Sequence, residues 1–392
     1  MTASPVLPIT RTCPYSPPAE HVRLREQEPV ARVTLPSGSE VWALSRLEDI
    51  RTMLADPRFS SDRLHENFPT FTPGARPARL GKPSMISLDP PEHGPARRAV
   101  LGEFTVKRMA SLRPRIQDIV DECIDTMLAG PRPADLVAAL ALPVPSLVIC
   151  ELLGVPYADH DFFQARSAQL LRRTTASADR IAAVTQIRDY IAGLIAQKRD
   201  NPSDDLLSRQ LEQGADTEEL VSIGFLLLLA GHETTANMIS LGTMTLLDDP
   251  KSLAKVKADP AVTPQAVEEL LRYFTIADLV TSRVAMEDVE IGGVLIRAGE
   301  GVIALGHTAN RDPAAFADGD TFDIERGARH HVAFGFGAHQ CLGQNLARLE
   351  LQIVFDTLFR RVPGLRLTAP VDELPFKTDG SIYGLYMLPV TW

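Results

Sequence analysis

The chain has 392 residues, 45% apolar and 23% charged, with forty basic side chains against fifty acidic ones for a formal net charge of −10. That composition excludes a disordered, collagen-like or coiled-coil chain. With no basic excess to replace counterions on a phosphate backbone, nucleic acid is not expected as a partner. Four scattered cysteines, Cys13, Cys123, Cys150 and Cys341, suit neither a disulfide framework nor a metal-ligand spacing, and a reducing cytoplasm is the expected home.

Taken in chain order, the start lacks a basic region followed by a long apolar one, so no signal peptide is expected. Residues 1–30 are Pro-rich and irregular. Val30–Thr34 and Glu40–Leu44 alternate apolar and polar residues around Pro36–Ser39, which predicts a two-strand hairpin. A helix is predicted over 46–55, stopping before Asp56-Pro57. Residues 58–92 read as a long loop with prolines at 69, 73, 77, 83, 90 and 91, a length that usually marks function or disorder. From about 93 to 275 apolar residues recur at three and four, as in 116–127, 181–195 and 220–247, which predicts helices. Pro143 and Pro145 break the apolar run 136–150, which reads as core rather than a membrane span. Beyond 276, short strands at 281–297, 301–304, 364–368 and 381–390 surround one more helix at 342–360. The expected organisation is a single domain over 1–392, mainly α. Its β-rich parts lie near 30–45, 281–304 and 364–390, and its helical parts over about 93–275 and 342–360.

Three constellations carry chemistry. The first is Phe334-Gly-Phe-Gly-Ala-His-Gln-Cys341-Leu-Gly343, a glycine-rich bend presenting one cysteine at a helix start. Free N–H groups and the helix dipole favour a thiolate there, and glycines admit a flat ligand. A buried structural cysteine is the bland alternative. A dinucleotide loop fails because Gln340 stands where the third glycine belongs. The second is Ala230-Gly-His-Glu233-Thr234-Thr235 inside the long apolar helix, where a small pair leaves room for a ligand beside an acid and an alcohol. A lone threonine would more often back-bond to the carbonyl four residues earlier. A zinc-protease reading fails because Ala236 replaces the second histidine. The third is Glu269-Leu-Leu-Arg272, two neighbours on a helix that are commonly a surface ion pair of little value.

Phe334, Gly337, Cys341 and Gly343 resemble the haem-binding signature of the cytochrome P450 family, and the likeness runs from about residue 20 to the end. The resemblance implies the family's triangular, mainly helical prism with a small β region, as in soluble actinobacterial-type members. It implies haem b, with Cys341 as the thiolate ligand of the iron, a ligand type that favours O–O cleavage. Phe334, Gly335, Gly343 and Ala230 are then expected against the haem. Thr234 would hydrogen-bond the oxygen being activated and Glu233 would feed it protons. Glu269, Arg272 and Arg326 would form a buried structural triad. His93, Arg97, Arg283 and His339 match positions that bind the haem propionates, although each alone would more often be a solvated surface residue. The mild departure is Gly327-Ala after Arg326, which does not touch the haem chemistry.

The implied reaction is monooxygenation of a bulky hydrophobic molecule, matching apolar residues such as Phe68, Phe71, Met85, Leu171, Leu227, Ile276, Leu279, Val280 and Ile382 in the segments expected to line the pocket. No flavin or dinucleotide loop is present, so two electrons would come from a ferredoxin and its NAD(P)H-dependent reductase, with Lys107, Arg108 and Arg348 as candidate docking charges. A monomer without membrane attachment is expected. A peroxide-driven peroxygenase, or a non-enzymatic haem-thiolate sensor or carrier, are the competing readings, and the Glu233-Thr234 pair disfavours both. The loop 62–86 and the helices at 160–185 are expected to form a mobile lid.

Overall fold

The computed structural model describes residues 6–72 and 80–392. The helix Thr217–Asp248 runs through the middle. Asp216 caps it by accepting the Glu219 N–H, Glu218 and Glu219 favour its positive end, and Asp249-Pro250 stops it. Side chains on nearly every face of it are buried, which makes it a core element rather than an amphipathic surface helix. Around it pack Pro143–Leu153, Ser177–Asp200, Thr263–Phe274 and Gln344–Arg361. Together with Val106–Ala129 they bury one large apolar core. The apolar run 136–150 becomes a π-helical turn, Val137–Ala141, followed by the helix Pro143–Leu153, with a proline in its first turn where no N–H is needed.

The hairpin forms as expected and continues into a five-stranded sheet. Its order is Val30–Thr34, Glu40–Leu44, Gly301–Ala304, Ser282–Ala285 and Phe59–Ser60. The predicted strand 381–390 shrinks to Pro389–Thr391, preceded only by an isolated bridge between Phe376 and Leu385. The long loop contains the short strand Phe59–Ser60 and a 3-10 turn at Met85–Ser87; its prolines 73 and 77 lie outside the described residues. No helix among the described residues is long and apolar enough to cross a membrane.

The segment before the first helix is tied across the molecule. Arg11 donates to the Phe274 carbonyl at 2.9 Å and lies 4.0 Å over the Tyr383 ring, while the Tyr383 hydroxyl donates to the Pro14 carbonyl at 2.9 Å. Tyr383 N–H in turn donates to the Ile276 carbonyl at 2.9 Å.

Glu269 and Arg272 are both fully enclosed, with 0% side-chain exposure each. Arg272 grips Glu269 through Nε at 2.7 Å and an Nη at 2.6 Å, and donates further to the carbonyls of Asn310 and Gly319. Arg326 Nε reaches Glu269 at 3.3 Å, and the Asp323 N–H adds a bond at 2.9 Å. The surface-pair reading is therefore replaced by a buried charge cluster that pins the 310–326 loops to the helix Thr263–Phe274.

Candidate active site

Residues 332–341 fold back on themselves. Gly335 N–H donates to the Val332 carbonyl, and Cys341 N–H donates to the Phe334 carbonyl at 2.8 Å. Gly335 and Gly337 both have left-handed φ, 69° and 70°. At Gly337 a Cβ would also stand 2.5 Å from the Leu54 carbonyl oxygen, so any other residue would lift the loop off the helix Leu47–Ala55. Gly343 is different. Its φ is −82° and a Cβ would meet nothing within 4 Å, so protein packing does not demand a glycine there. A close-lying planar ligand would demand one.

Cys341 opens to solvent on one side while protein mass surrounds it on the others. Burial pushes its thiol up, opposed by the N–H groups of Gly343 and Gln344 at the start of the helix Gln344–Arg361 and by the guanidiniums of Arg97 and Arg348. Cys13 is exposed too, and against burial the N–H groups of Tyr15 and Ser16 hold its thiol down, but it stands at no helix start and beside no such histidine–arginine cluster. Cys123 and Cys150 are core residues whose thiols burial pushes up to about 11 and about 12.

The structure brings His93, Arg97, Arg283 and His339 together beside this loop. The His93 and His339 rings lie 4.0 Å apart between centroids. Arg97 donates to the Gln340 carbonyl at 2.7 Å and Arg283 to the Ser282 carbonyl at 2.7 Å. Burial and then Arg283 and His93 push His339 down to about 3; burial and then Arg63 push Arg283 down to about 10. None of the four forms an ion pair among the described residues, and the buried Nε2 of His93 has no partner there. Two arginines and two histidines crowded together, with no ion pair and only the nearby charge of Asp89 to offset them, and with one orphaned ring nitrogen, fit an anionic ligand. Two carboxylate arms satisfy that need, and haem carries two. Arg63 is a further cation in this field that the sequence reading missed, because nothing local links residue 63 to residue 283.

On the central helix, Ala230 is exposed and Thr234 half-exposed in an otherwise buried stretch. Gly231 does not share that opening. A Cβ there would stand 2.8 Å from Ile149 Cδ1, so this glycine admits the helix Pro143–Leu153 rather than a ligand, and the room comes from Ala230 alone. The Thr234 hydroxyl donates to the Ala230 carbonyl at 2.9 Å. That is the back-bond of the bland reading, here on an exposed face. Glu233 is buried and turned elsewhere, with Oε2 accepting from Lys377 Nζ at 3.0 Å.

Of the three proposed docking cations, Arg348 is committed. It donates to Glu268 at 2.5 Å and lies 4.6 Å over the Phe334 ring. Glu268 is pushed up by burial but held down to about 2 by His331 and Arg348. Arg108 sits 3.7 Å from Glu103 and 3.9 Å from Asp204, which leaves Lys107 without an ion pair among the described residues. Phe71 packs on the small core beneath the sheet. Phe68 lines a polar groove of about 570 Å³ with Arg32, Arg63 and Glu300.

Comparisons with known proteins give the family. A family model described as Cytochrome P450 matches residues 28–374. Pentalenic acid synthase of Streptomyces avermitilis is 52% identical over 397 residues, covering 100% of this chain and 98% of that relative. The crystal structure of cytochrome P450 MoxA from Nonomuraea recticatena matches with a TM-score of 0.92 at 60% identity, covering 98% of each chain. That of CYP105P1 in complex with filipin I matches with a TM-score of 0.95 at 44% identity, covering 99% of each. The chain belongs to the cytochrome P450 family of haem-thiolate monooxygenases.

Proposed function

We propose that Cys341 ligates the haem iron and that the enzyme oxidises a bulky hydrophobic small molecule with two electrons from a ferredoxin and its NAD(P)H-dependent reductase. The carrying observation is the cluster of His93, Arg97, Arg283 and His339, none in an ion pair among the described residues, beside an open cysteine at a helix start. Haem, when bound, supplies the oxygen chemistry, placing one atom of O₂ in the substrate and the other in water. The chain's own residues bind, orient and manage protons. His93, Arg97, Arg283 and His339 would hold the propionates, and Phe334, Gly335, Gly343 and Ala230 would lie against the haem faces. Support for a large, mostly hydrocarbon substrate comes from a relative named for pentalenic acid and a neighbour that holds filipin I. A substrate-induced spectral screen with terpenoid, macrolide and steroid-like compounds tests it, followed by NADPH consumption with ferredoxin and reductase. No spectral shift with any of these, or turnover only with peroxide, would overturn the reading.

Thr234 is proposed to deliver protons rather than bind substrate. Its hydroxyl oxygen keeps lone pairs free to accept while the proton rests on Ala230 O, and rotation releases that donor toward the exposed face. Thr234→Ala is expected to leave haem content and substrate affinity nearly unchanged. Product per NADPH should fall by roughly tenfold or more, within the range positioned proton donors contribute. Peroxide assay and product quantification check this, and unchanged coupling counts against the role.

A lid over the pocket is proposed from the loop 62–86, whose described parts are 62–72 and 80–86, together with the helices His160–Leu171 and Ser177–Asp200. The described parts of the loop are held largely by single hydrogen bonds and exposed ion pairs, among them Thr72 Oγ1 to the Arg173 carbonyl at 3.4 Å, Ser222 Oγ to the Lys82 carbonyl at 2.7 Å, and Lys82 Nζ to Asp216 at 2.9 Å and to Glu219 at 3.2 Å. Exposed ion pairs and single hydrogen bonds give low local stability. A tight hydrophobic ligand is expected to slow amide exchange across 62–86 and 160–185 far more than across 220–247. Equal protection in all three would argue for a static wall.

A further inference from the structure

Glu233 and Thr234 are adjacent in sequence but face different partners. The partner of Glu233 comes from 144 residues away, in the turn that opens the segment 376–385. The Glu233–Lys377 pair is largely shielded, with 9% and 17% side-chain exposure. Its geometry is fixed from both sides. Lys377 N–H donates to the Gly384 carbonyl at 2.8 Å. Gly384 itself presses on the central helix one turn beyond Glu233: a Cβ there would stand 2.0 Å from Asn237 Oδ1. Only a glycine brings this segment close enough for the lysine to reach the acid.

The other end of the same turn belongs to the proposed lid. Arg173 N–H donates to the Asp379 carbonyl at 2.9 Å, and its guanidinium donates to the carbonyls of Thr378 and Gly380. Ser381 N–H donates to the Leu171 carbonyl at 2.8 Å, and Arg172 and Gly380 form an antiparallel bridge. Residues 378–381 are thus stitched to the end of the helix His160–Leu171, and the next residue back is Lys377. Lys377, though not Glu233, also lines a cavity of about 30 Å³ together with Arg11, His21, Arg173, Asp278 and Tyr383. That is room for water with several polar partners.

We propose that Lys377 is a positioning residue for proton delivery. It fixes the Glu233 carboxylate and links it to the water-sized cavity that Lys377 lines, and its own placement depends on the lid being seated on Leu171–Arg173. Proton supply to Thr234 is thereby tied to closure over a substrate. This rests on the reading of Glu233 as proton source. Protons pass from the cavity to Glu233 and on to Thr234 when the carboxyl rotates, and no bond other than O–H bonds is made or broken.

The test uses the reconstituted holoenzyme. Lys377→Met is expected to lower product per NADPH roughly tenfold, the scale of one lost charge-assisted hydrogen bond. The solvent isotope effect on product formation should rise, while haem content and the substrate-induced Soret shift stay unchanged. Lys377→Arg should restore most of the coupling. If Glu233→Gln uncouples and Lys377→Met does not, the positioning role is overturned while the reading of Glu233 stands. If Glu233→Gln changes neither coupling nor isotope effect, both fall. A second measurement needs no turnover: acetylation of Lys377, read by mass spectrometry in the holoenzyme with a Soret-shifting ligand bound. The amine should react roughly tenfold faster in Glu233→Gln and in Arg173→Ala than in the parent, since the first removes its charged acceptor and the second the guanidinium that holds the adjoining Thr378 and Gly380 carbonyls. Equal rates in Arg173→Ala would overturn the link to the lid.

Discussion

Cys341→Ser is expected to abolish the red-shifted Soret band of the ferrous carbon monoxide complex. Serine keeps the size and the position at the start of the helix Gln344–Arg361 but does not ionise near neutral pH, so it cannot supply thiolate electron density to iron. The loop should survive, because its closing bond runs from the Cys341 N–H to the Phe334 carbonyl and needs no side chain. Cys123→Ser and Cys150→Ser should leave the band in place, since both thiols lie in the core and burial pushes both up. A persistent band in Cys341→Ser, with loss in either of the others, would reverse the assignment.

Glu269→Ala is expected to be the most destabilising single change outside the ligand loop. It would strand Arg272 with a full charge and no exposure, after removing the bonds at 2.6 and 2.7 Å that neutralise it. Breaking a buried pair by deleting one partner costs about 3–5 kcal/mol, whereas replacing both with apolar groups costs far less. The loss should spread to Asp323 and Arg326, which share the same carboxylate, and through them to the approach of the cysteine loop. Haem content per protein and thermal unfolding followed by circular dichroism check this. An exposed pair gives the control: Arg115→Ala, which frees Glu151 near the surface, should change stability by about 1 kcal/mol or less. Equal effects from the two would mean that Glu269 contributes no more than a surface charge.

What the sequence made legible follows from what is local. The cysteine loop, the Glu-x-x-Arg helix and the long apolar helix are contiguous runs, so their chemistry is written at fixed spacing. The helical middle was legible for the same reason. Pairings across the chain were hidden. Lys377 with Glu233 and Arg63 with Arg283 join segments that no periodicity relates. Gly231 was read as room for a ligand because spacing cannot say which neighbour fills a missing Cβ; Ile149 does. The 381–390 segment alternates like a strand, yet its first half pairs with the lid and with Ile276 instead of a sheet neighbour. Phe71 was read from its loop position alone, and spacing cannot say that it packs on the small core beneath the sheet.

The anchoring of residues 11–15 has a consequence for how substrate range evolves. Ile276, expected at the pocket, is bonded through its carbonyl to the Tyr383 N–H. The Tyr383 side chain is held by Arg11 over its ring and by the Pro14 carbonyl at its hydroxyl, while Arg11 also binds the carbonyl of Phe274, two residues before Ile276. Arg11 stacks on the very ring whose backbone N–H binds Ile276. Substitutions in this arm are therefore expected to shift the Ile276–Tyr383 segment without touching a substrate, which a change in ligand-induced Soret shifts would report. Directed evolution that confines its libraries to lining positions would pass over this lever, and chimeras that exchange the first twenty residues between relatives would carry part of their selectivity with them.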